Sequence, residues 1–156
     1  MIGLIRSFDS GGTHLKLGIQ SEYAIKGLLV LAAKPLGTVM LLRDIANAGR
    51  VPENFLAKIF QKLTRSGILV SSRGAVRGYA LACNAKNLNV EKIFVALEGS
   101  DLFDRCVFWS HRCADIDPCP LHFRWIKVRR RIMSELMERT TLADLAKARR
   151  RTQTDT

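Results

Sequence analysis

The 156-residue sequence lacks most of what an enzyme or a membrane protein requires. Its three histidines, His14, His111 and His122, have around them no arrangement of serine, cysteine and carboxylate that would form a catalytic site. No apolar run approaches the roughly 18 residues of a membrane span, and the N-terminus has no apolar segment long enough for a signal peptide. We therefore expect a cytoplasmic protein that is not an enzyme, has no small-molecule substrate and does not bind a membrane.

Acidic residues are also scarce. Against 25 Lys and Arg there are 14 Asp and Glu, which gives a formal net charge of +11. The segment from Leu15 to Ala82 holds ten basic and three acidic residues, a net charge of +7. Such an excess calls for an anionic partner, and nucleic acid is the leading candidate. The hydrophobic content of 47% is enough for the core of one domain with an extended arm.

Periodic apolar residues predict three helices in this basic segment. The first runs from Ser21 to about Ala33, a short one around Ile45 ends at Gly49, and the third runs from Pro52 to about Ser66. The last two, separated by a tight turn, are typical of a helix-turn-helix. The third helix buries one apolar face and leaves on its other faces the candidate DNA-binding residues Asn54, Lys58, Gln61, Lys62 and Arg65.

A hairpin is predicted directly after these helices. Two short β-prone runs, Ile68 to Val70 and Tyr79 to Leu81, flank a glycine-containing loop that carries Arg73 and Arg77. The bland interpretation is an ordinary hairpin with solvated arginines. After a helix-turn-helix, the same pattern predicts the wing of a winged helix, whose arginines can enter the minor groove. We therefore expect a mainly α fold with a small β-wing.

Three of the four cysteines are clustered. Cys106, Cys113 and Cys119 fall within fourteen residues, and His122 follows three positions later. Three thiolates and an imidazole suit an iron-sulfur cluster or a zinc ion, whereas bare cysteines could instead sense oxidants directly. The close C-x(2–4)-C pair of most zinc sites is missing. The isolated Cys83 is expected to be a small buried hydrophobic residue.

Three cationic residues, Arg105, His111 and Arg112, flank the clustered sulfurs. Their positive charge should offset the negative charge of a cluster and favour its reduction.

The sequence around the cysteine loop predicts two helices, of which the second is expected to pack against another subunit. Asn89 and Gly99 are expected to begin and end a fourth helix ahead of the cysteine loop. A longer helix after Pro120 carries an apolar stripe of Leu121, Trp125, Val128, Ile132 and Leu136. A domain this small offers that stripe little core, so we expect it to pack against a second subunit.

The predicted organisation is therefore as follows. Residues 1–14 form a flexible extension, 15–100 a winged helix-turn-helix DNA-binding domain and 101–119 a cysteine-rich loop. Residues 120–146 form the dimerisation helix and a short terminal helix capped by Thr141 and Asp144, and 147–156 form a basic disordered tail.

Six motifs, in order along the chain, resemble the Rrf-type winged-helix regulators, a bacterial family that includes IscR, NsrR and RirA. They are SEYAIKGLLVLA from Ser21, VPENFLAKIFQKLTRSGIL from Val51, SSRGAVRGYALA from Ser71, ALEG from Ala96, CPLH from Cys119 and TLADLA from Thr141. The match extends from about Leu15 to Ala146. The family wing usually reads RGPGGGY, whereas here Ala75, Val76 and Arg77 replace Pro-Gly-Gly, and the first cysteine gap is six residues rather than five.

The resemblance implies a homodimeric regulator, acting as a repressor on palindromic double-stranded promoter DNA. Its cysteines would hold a [2Fe-2S] or [4Fe-4S] cluster whose state, set by iron, nitric oxide or redox conditions, tunes DNA affinity. His122 is our expected fourth ligand. Glu22 is the rival, because it stands where some cluster-binding relatives supply an acidic ligand across the dimer.

Two other classes of function stay open from the sequence. One is a zinc-stabilised winged-helix adaptor that docks through Trp125 and its stripe, and the other is an iron-sulfur electron-transfer protein. An electron carrier has no need of a helix-turn-helix and wing with a net charge of +7.

Overall fold

The chain folds into a mainly helical domain with one two-stranded sheet, as the sequence predicts. A computed structural model describes residues 18–100, 104, 106, 113 and 116–154. The helices and strands are α1 (Ile19–Ala32), α2 (Leu42–Gly49), α3 (Glu53–Arg65), β1 (Leu69–Ser72), β2 (Gly78–Leu81), a 3-10 turn (Ala85–Asn87), α4 (Val90–Glu98), α5 (His122–Ile132), a π-helical segment (Met133–Glu138) and α6 (Leu142–Thr154). The predicted extension 1–14 and the cations Arg105, His111 and Arg112 lie outside the described residues.

The main core is organised around α1, which contacts α2, α3, α4 and α6. Leu28 of α1 and Ile45 of α2 are completely buried, together with Leu56 and Phe60 of α3. A Cβ atom on Gly27 would lie 2.9 Å from Leu56 Cδ1 and from the Phe60 ring. The absence of a side chain there lets α1 and α3 approach closely, which fixes the position of α3 on the domain.

The turn between α2 and α3 has a left-handed residue directly after the predicted glycine. Helix α2 ends at Gly49 as predicted, but Arg50 is the residue in the left-handed conformation, with φ 52° and ψ 50°. The Val51 N–H then donates to the Ala46 carbonyl at 2.9 Å. Val51 itself is buried. The turn is therefore held by this hydrogen bond and by the packing of the Val51 side chain before α3 begins at Glu53.

The wing is an antiparallel pair of β1 and β2, in register from Leu69 opposite Leu81 to Ser72 opposite Gly78. Met40 adds a bridge that the sequence did not predict, because it exchanges two backbone hydrogen bonds of 3.0 and 2.9 Å with Tyr79. Gly78 has φ +148°, and a Cβ atom there would lie 2.1 Å from the Met40 carbonyl oxygen. Only glycine therefore fits where the segment before α2 meets the wing.

The C-terminal half returns to the domain after the cysteine loop. Asn89 caps α4 by accepting a hydrogen bond from the Lys92 N–H at 3.1 Å, and Gly99 ends it with φ 91°, both as predicted. Met137 of the π-helical segment packs with Val90 and Phe94 of α4 in a second, smaller core. This contact ties the end of the α5 helix to the winged-helix domain.

The predicted disordered tail is wrong for residues 147–154, because α6 continues to Thr154. Thr141 and Asp144 form the predicted cap, with Thr141 N–H donating to Asp144 Oδ2 at 3.0 Å and Asp144 N–H donating to Thr141 Oγ1 at 3.2 Å. Hydrogen bonds from the Thr141 side chain and backbone lower the pKa of Asp144. The helix continues because the residues beyond Ala146 are mostly Ala, Lys and Arg, which favour helices, and include no Gly or Pro.

Among the described helices, none is both long enough and apolar enough to span a membrane.

Candidate functional site

Helix α3 presents one continuous polar face to solvent. Asn54, Lys58, Gln61 and Arg65 are all exposed and recur at spacings of four, three and four residues, which places them on one side of the helix. The opposite side is buried in the main core through Leu56, Ile59, Phe60 and Leu63. We call the four exposed residues the α3 face. Its width and chemistry suit the major groove, which admits an α-helix.

The flank of α3 nearest α1 carries two further exposed residues, Phe55 and Lys62, which are seven positions apart. Lys62 Nζ donates to Gln20 Oε1 at 2.9 Å, so the lysine that we predicted to bind phosphate is also joined to α1. The Phe55 side chain is 58% exposed and its ring meets Tyr23 edge-on, with centroids 6.2 Å apart. Phe55 was not among the predicted site residues. The signal for it in the sequence was an aromatic residue outside the apolar period of the helix.

The wing places Arg73 and Arg77 at the exposed end of the hairpin, with Val76 between them 61% exposed. In the part of the chain that the structure describes, neither arginine has a carboxylate partner, and the same holds for Lys58 and Arg65. These side chains are consequently available to an external anion. The α3 face and the wing follow one another directly in the chain, so a duplex could contact both.

The four candidate metal ligands make two close contacts with one another. Cys106 Sγ is 3.4 Å from Cys119 Sγ, and Cys113 Sγ is 3.2 Å from His122 Nδ1. Cys106, Cys119 and His122 are almost completely buried, at 1%, 5% and 2% exposure, and Cys113 is half-buried. His122 begins α5, and its N–H donates to the Cys119 carbonyl at 2.9 Å. The start of the helix therefore fixes Cys119 and His122 relative to each other.

The cysteine loop has its own backbone support. Cys113 N–H donates to the Asp104 carbonyl at 2.8 Å, and the Asp104 carboxylate lies 3.7 Å from Arg129 on α5. This arrangement joins the middle of the loop to the helix that follows it.

Burial raises the pKa of the Cys119 thiol, and its hydrogen bond with Cys106 raises it further. A hydrogen bond from the Leu121 backbone acts in the opposite direction but does not reverse the shift. These effects together favour the neutral thiol form of Cys119 by raising its pKa. Since metals bind the thiolate, loading of this site must displace a proton.

The donor set fits a metal centre by its chemistry. Soft thiolates and an imidazole in a buried setting are the ligands of zinc and of iron-sulfur clusters. The two pair distances are close to the separation of about 3.5–3.8 Å between neighbouring ligands on one tetrahedral metal. Among the described residues, however, no group of three or more His, Cys, Asp or Glu is gathered around one point. The two close contacts, Cys106 with Cys119 and Cys113 with His122, are the geometry that the described residues provide.

Two further residues from the sequence analysis are Glu22, the alternative fourth ligand, and Cys83, the isolated cysteine. Glu22 is exposed on α1, where its carboxylate pairs with Lys26 Nζ at 2.6 Å, so within one chain the structure joins it to α1 and not to the cysteines. Cys83 is half-buried and packs against the main core, close to its predicted role as a small hydrophobic residue.

Comparison with known proteins agrees with the fold. The chain matches the Rrf2 family, described as an iron-dependent transcriptional regulator, over residues 17–148. It is 28% identical over 131 residues to the HTH-type transcriptional regulator IscR of Yersinia enterocolitica, covering 84% of this chain and 79% of that protein.

Two solved structures share the architecture. CymR, the global cysteine regulator of B. subtilis, superimposes with a TM-score of 0.71 at 26% identity, over 86% of this chain and 98% of CymR. IscR of T. potens superimposes with a TM-score of 0.67 at 27% identity, over 92% of this chain and 94% of that one. The relatives are transcriptional regulators, and the winged-helix fold predicted from the sequence is confirmed. With its family match spanning most of the sequence, this chain belongs to the Rrf2 family of winged-helix transcriptional regulators.

Proposed function

We propose that this regulator binds double-stranded promoter DNA with the α3 face in the major groove and the wing on the adjacent minor groove. The observation that carries the proposal is the exposed α3 face, followed in the chain by two wing arginines that have no carboxylate partner among the described residues. Lys58, Lys62 and Arg65 contact phosphates, which position the protein on the duplex. Asn54 and Gln61 read adenine through their amides. Arg73 and Arg77 enter the minor groove, whose negative potential is enhanced where it is narrow.

The regulator acts as a homodimer through the stripe on α5. Val128 and Leu136 are 52% and 57% exposed, although they are large apolar residues in the middle and at the end of a helix. A second copy packed on the stripe would cover these apolar side chains. Two-fold symmetry would then match a palindromic site.

The cofactor that the two close contacts favour is a [2Fe-2S] cluster held by Cys106, Cys113, Cys119 and His122. Each iron of such a cluster takes two protein ligands, and histidines can replace cysteines in that role. When bound, the cluster supplies a redox-sensitive and iron-dependent centre. The description of the Rrf2 family as iron-dependent regulators supports this assignment. A [4Fe-4S] cluster would use the same cysteines, with Glu22 of a second copy as the alternative fourth ligand.

A structural zinc ion is the second candidate, since the same three cysteines and one histidine could hold it. The two close contacts, Cys106 with Cys119 and Cys113 with His122, suit two irons with two protein ligands each. Zinc would support a fixed adaptor or regulator, whereas a cluster would make DNA binding respond to iron, nitric oxide or redox state.

The fold offers a direct route from the cysteine site to DNA. His122 and Cys119 lie at the start of α5, and the helix continues through the π-helical segment to Met137, which packs on Val90 and Phe94 of α4. Seventeen helical residues span roughly 25 Å. A change in how the thiolates are held would shift the position of the first residues of this helix. The far end of the same helix contacts the DNA-binding domain. The state of the site thereby sets whether the dimer represses its promoter.

The test is a salt titration of DNA affinity. A duplex chosen by the anaerobic protein from a random library serves as the probe, and affinity is followed by fluorescence anisotropy. We expect log K to fall linearly with log[salt], with a slope of about −0.9 for each neutralised phosphate. Arg73→Ala and Arg77→Ala should weaken binding and reduce that slope, while Lys86→Ala, an exposed lysine on the 3-10 turn, should not. Unchanged affinity and slope in both arginine variants would exclude the wing from the interface.

A further inference from the structure

Phe55 is the residue of α3 whose exposure the proposed function leaves unexplained. It lies in the first turn of the helix, directly after Asn54. Its side chain is 58% exposed, although the neighbouring Leu56 is completely buried in the main core. Single exposed apolar residues are common on protein surfaces, so exposure alone assigns Phe55 no role. What points to a ligand is its position beside Asn54 in the first turn of the proposed recognition helix.

The Phe55 ring is held in place by its neighbours on α1. It meets Tyr23 edge-on at an angle of 63°, and Lys26 Nζ lies 5.9 Å from the centre of the Tyr23 ring. Lys26 is itself paired with Glu22 at 2.6 Å. A side chain held in this way loses little conformational freedom when it binds, because it is ordered beforehand.

The location of the ring selects its ligand. In helix-turn-helix proteins the N-terminal residues of the recognition helix contact base edges in the major groove. The apolar group available on a base edge there is the C5-methyl of thymine, which phenylalanine side chains contact. Phosphates offer nothing to an uncharged ring, so the backbone is excluded as its target.

We propose that Phe55 is a specificity-determining residue that packs against a thymine methyl group next to the base read by Asn54. This inference rests on the proposed DNA binding and adds a base preference to it. Tyr23 acts as a positioning residue, since it supports the ring from α1 without itself being required to touch DNA.

The experiment removes only the C5-methyl group of a thymine from the DNA and leaves the rest of the duplex unchanged. In the duplex selected by the wild-type protein, each thymine in turn is replaced by 2′-deoxyuridine, and affinity is measured by fluorescence anisotropy. We expect one position, or one in each half-site, at which the wild-type protein loses about fourfold in affinity, the effect of burying one methyl-sized group. At that position Phe55→Ala should bind the two duplexes equally, and Phe55→Leu should regain part of the discrimination.

Val95→Ala is the matched control, because Val95 is also an exposed apolar helix residue, 44% exposed on α4. It should discriminate as the wild type does. If the wild-type protein binds every deoxyuridine duplex as tightly as its parent, the methyl contact is wrong although DNA binding stands. If Phe55→Ala keeps the discrimination, another residue makes the contact and the assignment fails. A protein that selects and binds no duplex at all would overturn the proposed function itself.

Discussion

At the scale of single residues, the contact of Cys113 with His122 is the observation that makes His122 our proposed fourth ligand in preference to Glu22. His122 Nδ1 lies 3.2 Å from Cys113 Sγ, whereas the Glu22 carboxylate pairs with Lys26. The sequence offered both residues because spacing alone does not say which side chain faces the sulfurs. The buried position of His122 is a product of the helix start at Leu121 and could not be read from composition.

Substitution of the ligands should separate these candidates. After anaerobic reconstitution with iron and sulfide, we expect the alanine variants of the three clustered cysteines to lose the visible chromophore. His122→Ala should form a less stable chromophore with a shifted spectrum, and Glu22→Ala should match the parent. Cys83→Ala is the control, because that cysteine packs on the main core. A His122→Ala protein with the parent spectrum and stability would remove His122 from the site.

Two glycines of the wing allow a matched test of its geometry. A Cβ atom at Gly78 would lie 2.1 Å from the Met40 carbonyl, whereas Gly74 has nothing within 4 Å. Gly78→Ala should lower the free energy of unfolding by about 1–3 kcal/mol or more, because it combines backbone strain with a clash, and should weaken DNA binding. Gly74→Ala should leave the thermal midpoint nearly unchanged. Equal midpoints for the two variants would contradict the bridge between Met40 and the wing.

At the scale of helices and strands, the sequence predicted most of the domain correctly. The period of the apolar residues and the residues that end helices were sufficient to predict α1 to α4. Each of these helices has an apolar stripe and a clear end such as Gly49 or Gly99. Two features escaped prediction for different reasons. The Met40 bridge depends on a contact between segments almost forty residues apart, and the extent of α6 depends on helix propensity in a stretch whose high charge suggested disorder.

The α5 helix also differs from its prediction in how it packs. Met137, which lies outside the predicted stripe, makes the contact with α4, and the stripe itself stays largely uncovered within one chain. Hydrophobic periodicity identifies an apolar face but does not say whether that face packs on its own domain or on another copy.

A charge introduced into the stripe tests the dimer. Ile132→Glu should place an unpaired carboxylate in a desolvated interface, at a cost of several kcal/mol, and should give monomers in light scattering. Lys127→Glu adds the same side chain at an exposed position on the same helix and should leave the dimer intact. If Ile132→Glu remains dimeric at low protein concentration, the subunits meet through another surface.

At the scale of the whole molecule, the α5 helix and the small core link the cysteine site to α4 of the winged-helix domain. The sequence predicted candidate residues for the cysteine site and for the α3 face but not this link, because the link consists of the packing of Met137 on Val90 and Phe94. The contact of Cys113 with His122 was likewise beyond the sequence, since spacing does not say which side chains meet. We propose that the cysteine site influences DNA binding through the packing of Met137 on α4.

The most direct measurement compares the DNA affinity of one protein preparation in two states of the cysteine site. Protein isolated without oxygen is assayed for iron and sulfide, and its affinity for the selected duplex is measured before and after the metal is removed with a chelator. We predict iron and sulfide in the isolated protein and a change in affinity of about 5- to 150-fold, the usual range for coupled sites. Equal affinity in the two states, or isolated protein without iron and sulfide, would contradict the account.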